Sequence, residues 1–268
     1  IYRHMDIGTA KPSRDERTAV PHHLYDISDP DEQVNLAEYQ ESAFRIIEGI
    51  FQRGSIPVLV GGSGLYIWSI LEGWEIPRIA PDMELRRKLE ERVGLEEEGS
   101  LYRELQGLDP YAAKRIDPRN LRRVIRALEI CYKQGCSGGS YKKKSPEFPS
   151  LIIGLRTERK ELYRRIDHRV DDMITKGLIE EVKGILDRGY SERLTALSSA
   201  VGYKEIIRYL KKELSLEESI QRIKFETHRL ARKQFGWFRE KDERINWLNI
   251  DDVLEERALN LVNGWLAA

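Results

Sequence analysis

No stretch of this 268-residue chain approaches the ~18 consecutive apolar residues of a membrane span, so the sequence holds no candidate transmembrane helix. Cysteine is scarce. Cys131 and Cys136 are too few for a disulfide framework and have no companions for a four-ligand zinc site, and they read as reduced thiols of a cytoplasmic protein. No Walker sequence of the form G-x-x-x-x-G-K-[ST] occurs. No internal repeat is visible. Net charge is missing too, with 45 basic residues balanced by 45 acidic ones.

That balance hides a segregation. Segment 111–144 carries ten basic residues, Lys142 to Lys144 among them, against only Asp117 and Glu129, a local charge of +8. Segment 81–110 holds nine acidic and five basic residues, or −4. A field polarised in this way suits a polyanion bound on one surface while the rest stays unattractive to it. The other reading is a solvated, charged helical lobe. At this length a folded chain buries about 70–75% of its extended surface, enough for one large core and a smaller lobe.

The local pattern is α/β in the first half. Asn35-Leu-Ala-Glu38 has capping-box spacing, Phe44, Ile47 and Phe51 follow at helical intervals, and Gly54 closes the element. Ile56-Pro-Val-Leu-Val60 is a continuous apolar run, the pattern of a strand buried on both faces. Gly61-Gly-Ser-Gly64 then turns into the apolar segment starting at Leu65, so that a helix N-terminus faces an anion. Residues 81–145 read as an all-helical insertion whose tail, with Gly135 to Ser140 and Lys142 to Lys144, is a flexible return linker. Leu151 to Leu155 is a strand, and helices follow over 158–176 and 177–188, the first striped by Leu162, Ile166, Val170 and Met173. Ser215-Leu-Glu-Glu218 opens a basic helix toward Arg239, Arg244 to Leu248 is a last strand, and Leu254 to Trp265 a closing helix.

The motifs run Ile1-Tyr-Arg-His-Met-Asp-Ile-Gly-Thr-Ala-Lys-Pro12, Pro21-His-His-Leu24, Gly61-Gly-Ser-Gly-Leu-Tyr66 and Asp117-Pro-Arg-Asn-Leu-Arg-Arg-Val-Ile-Arg-Ala-Leu-Glu129. Then come Arg164-Arg-Ile-Asp-His-Arg-Val-Asp-Asp-Met173, Ser199-Ala-Val-Gly-Tyr-Lys204 and Arg229-Leu-Ala-Arg-Lys-Gln-Phe-Gly-Trp-Phe-Arg239. Each admits an ordinary reading. The glycine turn packs, Arg165, Arg169 and Asp172 form a surface ion-pair ladder, Phe235, Trp237 and Phe238 are core residues, and the histidines are structural. In this order, from Ile1 to about Arg239, they resemble the tRNA dimethylallyltransferase family.

The resemblance implies a P-loop NTPase-like parallel sheet flanked by helices. Residues 1–80 and 146–268 would form the α/β core and 81–145 a tRNA-binding insertion. It implies a monomer that transfers a dimethylallyl group from dimethylallyl diphosphate to N6 of the adenine 3′-adjacent to the anticodon, docked on the tRNA anticodon stem-loop. Ser63 stands where the family has a Thr whose hydroxyl touches the diphosphate and the reacting end of the substrate. Arg169 matches the residue that neutralises the leaving diphosphate, and Thr9 and Lys11 lie near that group. Arg86, Arg122, Arg123, Arg126, Gly202, Tyr203 and Lys204 match tRNA-contacting positions. Asp117 replaces a His, Arg122 a Gln and Gly236 a Thr, while Arg232 and Lys233 exchange order. In the family a strand–P-loop–helix–strand unit, a base Asp and bound Mg²⁺ come before Ile1, so the expectation is a truncated chain without activity of its own. A P-loop small-molecule kinase-like enzyme and a non-catalytic RNA-binding fragment are the alternatives, and the +8 insertion argues against the kinase.

Overall fold

The computed structural model describes residues 1–136 and 148–267. The expected linker from residue 137 onward, with Lys142 to Lys144, lies outside the described residues. Two compact units result, one of Ile1–Trp68 with Glu147–Ala268, the other Ser69–Pro146. Along the chain come α1 (Arg14–Ala19), α2 (Leu36–Gln52), α3 (Gly64–Leu71), α4 (Met83–Leu95), α5 (Ser100–Leu108), α6 (Pro110–Arg115) and α7 (Leu121–Gln134). They are followed by β1 (Ile152–Arg156), α8 (Arg159–Thr175), α9 (Leu178–Asp187), α10 (Thr195–Ser198), α11 (Tyr203–Leu210), α12 (Leu216–Trp237), β2 (Ile245–Asn249) and α13 (Leu254–Leu266).

The caps form as their spacing requires. Asn35 accepts the N–H groups of Ala37 and Glu38 while Glu38 reaches back to the Asn35 N–H. Ser215 and Glu218 do the same at the head of α12. Each box satisfies donors that the first helical turn would otherwise leave open.

β1 and β2 pair in parallel, Ile152 opposite Ile245 and Arg156 opposite Asn249. Parallel pairing demands a crossover, supplied by α8 to α12. Gly154 is required here, because a Cβ would lie 2.7 Å from both Ile245 Cγ2 and the Trp247 ring. This two-stranded sheet is smaller than the P-loop-type sheet expected from sequence. The run at 56–60 departs from expectation most clearly. It carries no regular secondary structure and belongs to no ladder, and Val58 and Val60 are 79% and 87% exposed. Apolar, β-prone residues favour a strand, but a strand exists only with a hydrogen-bonding neighbour, and none pairs with this run among the described residues.

The core of the larger unit gathers Val170, Leu178, Val182, Ile185, Leu197, Tyr203, Ile206 and Ile223, with Met5 added from the N-terminal segment. The Ser69–Pro146 unit has its own core of Leu89, Leu101, Leu105, Val124 and Leu128, closed by Ala112 and Ala113. Composition changes at 81, whereas the spatial division falls at Ser69. Ile79 explains part of the difference, since it is buried and its carbonyl accepts from Arg126 at 3.0 Å.

Candidate active site and nucleic-acid interface

The opening motif is anchored by a carboxylate 175 residues away. Glu181 on α9 accepts the N–H groups of Asp6 at 2.9 Å, Ile7 at 2.7 Å and Gly8 at 3.1 Å. Its Oε1 also accepts from the Tyr203 hydroxyl at 2.7 Å. Gly8 has to be glycine, because a Cβ would lie 2.5 Å from the Tyr203 ring. Burial pushes the Tyr203 phenol far above its ordinary range, and the hydrogen bond and charge of Glu181 push it further.

These contacts correct several sequence expectations. Tyr203 is fully buried and Gly202 is buried beside it, so neither offers RNA a surface. Gly202 sits at φ +97°, a conformation that favours glycine, and its N–H donates to buried Glu205 at 2.8 Å. Lys204 Nζ pairs with the same carboxylate at 3.4 Å. Thr9 Oγ1 donates to Met5 O at 2.5 Å. Lys11, its side chain 3% exposed, spends its three protons on Tyr2 O at 2.5 Å, Asp6 at 2.8 Å and Asp26 at 2.6 Å. With its donors occupied, Lys11 closes the N-terminal loop and has no proton left for a diphosphate. The Lys11 hydrogen bond, with Arg17 beside it, holds Asp26 below the usual carboxylate range despite partial burial.

The glycine loop is shaped by the end of α12. Gly62 O accepts from Gln234 Nε2 at 3.2 Å, and a Cβ on Gly64 would lie 2.3 Å from Trp237 Cγ. Trp68, one turn into α3, donates to Trp237 O at 3.1 Å, stacks on Phe238 and carries the Arg244 guanidinium 4.3 Å above its ring. Between the two glycines Ser63 is exposed. Its carbonyl accepts the first N–H groups of α3, from Tyr66 at 3.0 Å and Ile67 at 3.1 Å, while its hydroxyl has no partner among the described residues. Gln234 carries no signal in the sequence beyond its place in the last motif.

On α8 the charges sort by face. Asp171 pairs with Lys224 at 2.7 Å, and Asp167 Oδ1 lies 2.9 Å from His228 Nε2, so both carboxylates of α8 face α12. Arg164 and Arg165 both bond Glu161 at 2.8 Å and hold its carboxyl down at about 2, Arg164 contributing most. Asp172 lies 3.8 Å from His168. The ladder through Arg165, Arg169 and Asp172 is therefore not formed. Arg169 remains exposed and without a side-chain partner among the described residues.

In the helical unit, fully buried Glu129 takes Arg86 bidentately at 2.8 and 3.1 Å, Arg126 through a close ion pair, and the Asp82 N–H at 2.6 Å. Burial alone would raise this carboxyl, but the bonds from Arg86, Asp82 and Arg126 together outweigh it and leave it below its usual range. Arg86 and Arg126, expected on the RNA surface, are thus committed to a buried acid. The acid on an apolar helix face was the signal that sequence reasoning passed over. Arg119 is bidentate to Asp117, whose carboxyl it holds at about 2. Arg122 and Arg123 differ, being exposed in the first turn of α7 with no side-chain partner among the described residues. Cations at a helix N-terminus oppose the helix dipole, so an external anion satisfies both.

A family model described as IPP transferase matches residues 1–241. The tRNA dimethylallyltransferase of Dehalococcoides mccartyi is 43% identical over 268 residues, spanning 100% of this chain and 82% of that protein. That of Thermomicrobium roseum is 47% identical over 251 residues, 93% of this chain and 76% of that protein. The crystal structure of the full-length tRNA isopentenylpyrophosphate transferase from Bacillus halodurans gives a TM-score of 0.69 at 39% identity, covering 100% of this chain and 84% of that one. A eukaryotic dimethylallyltransferase captured acting on tRNA gives 0.77 at 25% identity, covering 97% and 69%.

Proposed function

This chain belongs to the IPP transferase family and is a transferase that prenylates tRNA, and we propose that Ser63 and Arg169 act on the prenyl donor while Arg122 and Arg123 receive the tRNA backbone. The donor is dimethylallyl diphosphate and the acceptor N6 of the adenine 3′-adjacent to the anticodon. In the reaction N6 forms a bond to C1 of the dimethylallyl group, the C1–O bond breaks, the diphosphate leaves with the electron pair, and the amine gives up its proton to water. The adenine must first leave its stack, as enzymes acting on bases require. Neither Ser63 nor Arg169 is assigned that proton. Ser63 orients the reacting end through its hydroxyl, and Arg169 stabilises the departing negative charge with a fork that stays protonated.

The observation that carries this reading is selective availability. Of the residues the resemblance singles out, Thr9, Lys11, Tyr203, Arg86 and Arg126 are bonded within the chain, whereas Ser63, Arg169, Arg122 and Arg123 are exposed with no side-chain partner among the described residues. The helical unit is then the tRNA-docking insertion, and the chain works as a monomer in the cytoplasm. No described helix is long and apolar enough to cross a membrane.

Mg²⁺ is the cation that the resemblance implies. Among the described residues, the one group of three or more possible metal ligands is Asp109, Cys131 and Cys136, two sulfurs and a carboxylate. Mg²⁺ takes oxygen ligands, so this set does not fit it and no step is assigned to the ion. The test of the proposal is prenyl transfer to tRNA by Ser63→Ala and Ser63→Thr, measured, like every transfer assay below, in a chain that also carries the strand–P-loop–helix–strand unit expected before Ile1. Alanine should cost roughly 10–1000-fold in rate and threonine almost nothing. Full activity in the alanine variant would remove Ser63 from the chemistry.

A further inference from the structure

The geometry points to a binding site for a thiophilic divalent cation of the Zn²⁺ class in the helical unit, formed by Asp109, Cys131 and Cys136. Asp109 is the residue at which α5 ends and α6 begins, 2% exposed, and its Oδ1 accepts the Ala112 N–H at 2.9 Å to cap α6. Cys131 lies half-buried in the last turn of α7, and Cys136 lies exposed just beyond Gly135, where the helix ends. One ligand atom from each residue, two Sγ and a carboxylate oxygen, all lie within 4.8 Å of one another.

The spacing is close to what a tetrahedral ion needs. With Zn–S near 2.3 Å and Zn–O near 2.0–2.2 Å, ligand atoms in such a site sit roughly 3.4–3.8 Å apart. Rotation of the exposed Cys136 side chain can supply the contraction. Two sulfurs with one carboxylate form a soft, anionic set that selects Zn²⁺ over Mg²⁺ or Ca²⁺. On binding, the two thiols release their protons to solvent, the thiolates and carboxylate occupy three positions, and water takes the fourth. The ion joins the C-terminal end of α7 to the α5–α6 corner, bridging segments that sequence separation hides. Cys131 and Cys136 looked like partnerless thiols because Asp109 stands 22 residues before the nearer of them.

The probe is Co²⁺, titrated into the reduced, metal-free 268-residue chain and followed by absorption. A single site should appear with a thiolate charge-transfer band and four-coordinate d–d bands, both abolished by Zn²⁺. Cys131→Ser and Cys136→Ser should each lose the charge-transfer intensity of one thiolate and bind far more weakly. Asp109→Asn, which keeps a capping side chain, should weaken binding by more than about tenfold, the least that losing even an outer-shell partner costs. Zn²⁺ should raise the melting temperature of the unsubstituted chain and leave Cys136→Ser unchanged. Because Cys136 is exposed, that variant should keep its helical circular dichroism. Three results would overturn the site: no thiolate band, equal Co²⁺ binding by Cys136→Ser, or a Cys131–Cys136 disulfide whose reduction does not restore metal binding.

Discussion

The Tyr203 hydroxyl donates to Glu181 Oε1 at 2.7 Å, and its ring lies where a side chain on Gly8 would have to go. This contact joins the opening motif to the core through a fully buried tyrosine and a half-buried carboxylate. Tyr203→Phe should therefore lower stability by about 1.5–3 kcal/mol, as loss of a hydrogen bond to a charged group does. Denaturant unfolding measures it. The salt dependence of tRNA binding should stay unchanged, and a reduced slope would return Tyr203 to the RNA interface.

Arg122 and Arg123 should behave differently from Arg86 and Arg126. Changing both members of the first pair to Ala should lower the slope of log K against log salt by up to about 2, near 0.9 per lost phosphate contact, with little effect on stability. Arg86→Ala should instead cost about 3–5 kcal/mol by stripping the bidentate partner from a buried carboxylate. Filter binding over a salt series, run beside thermal unfolding, separates the two.

Glu129 gives a pH prediction. Its folded carboxyl sits below its unfolded value of about 4.3, so its contribution to stability is present above that value and is lost as pH falls through the lower folded value. Glu129→Gln should be less stable at neutral pH and show a shallower loss of stability between about pH 4.3 and the acid limit. Unfolding curves across pH 3–7 make the comparison.

Gly64→Ala tests the loop. A Cβ there meets the Trp237 ring system, so the loop or α12 must shift, costing about 1–3 kcal/mol. Prenyl transfer should slow through displacement of Ser63 while tRNA affinity holds. Equal turnover would show that the loop geometry does not position the hydroxyl.

Arg169→Lys keeps the charge and loses the planar fork. Turnover at saturating substrates should fall by at least about tenfold, with tRNA affinity little changed. Unchanged turnover would leave Arg169 as a solvated surface cation.

The sequence by itself determined what depends on near neighbours. The boxes at Asn35 and Ser215, the stripe through Val170 and Met173, and the strands near Ile152 and Ile245 all follow from residues within a few positions of one another. The family was legible too, since its motifs are contiguous. Which cation stays free was decided by the tertiary structure. Arg86 reaches Glu129 across 43 residues, and Asp6 reaches Glu181 across 175. Arg122 and Arg126 stand four apart on one helix, yet one faces solvent and the other a buried acid. A side chain's type sets what it can bind. Whether it is still available is set by the long-range packing that brings, or fails to bring, an opposite charge within reach, and no local pattern encodes that.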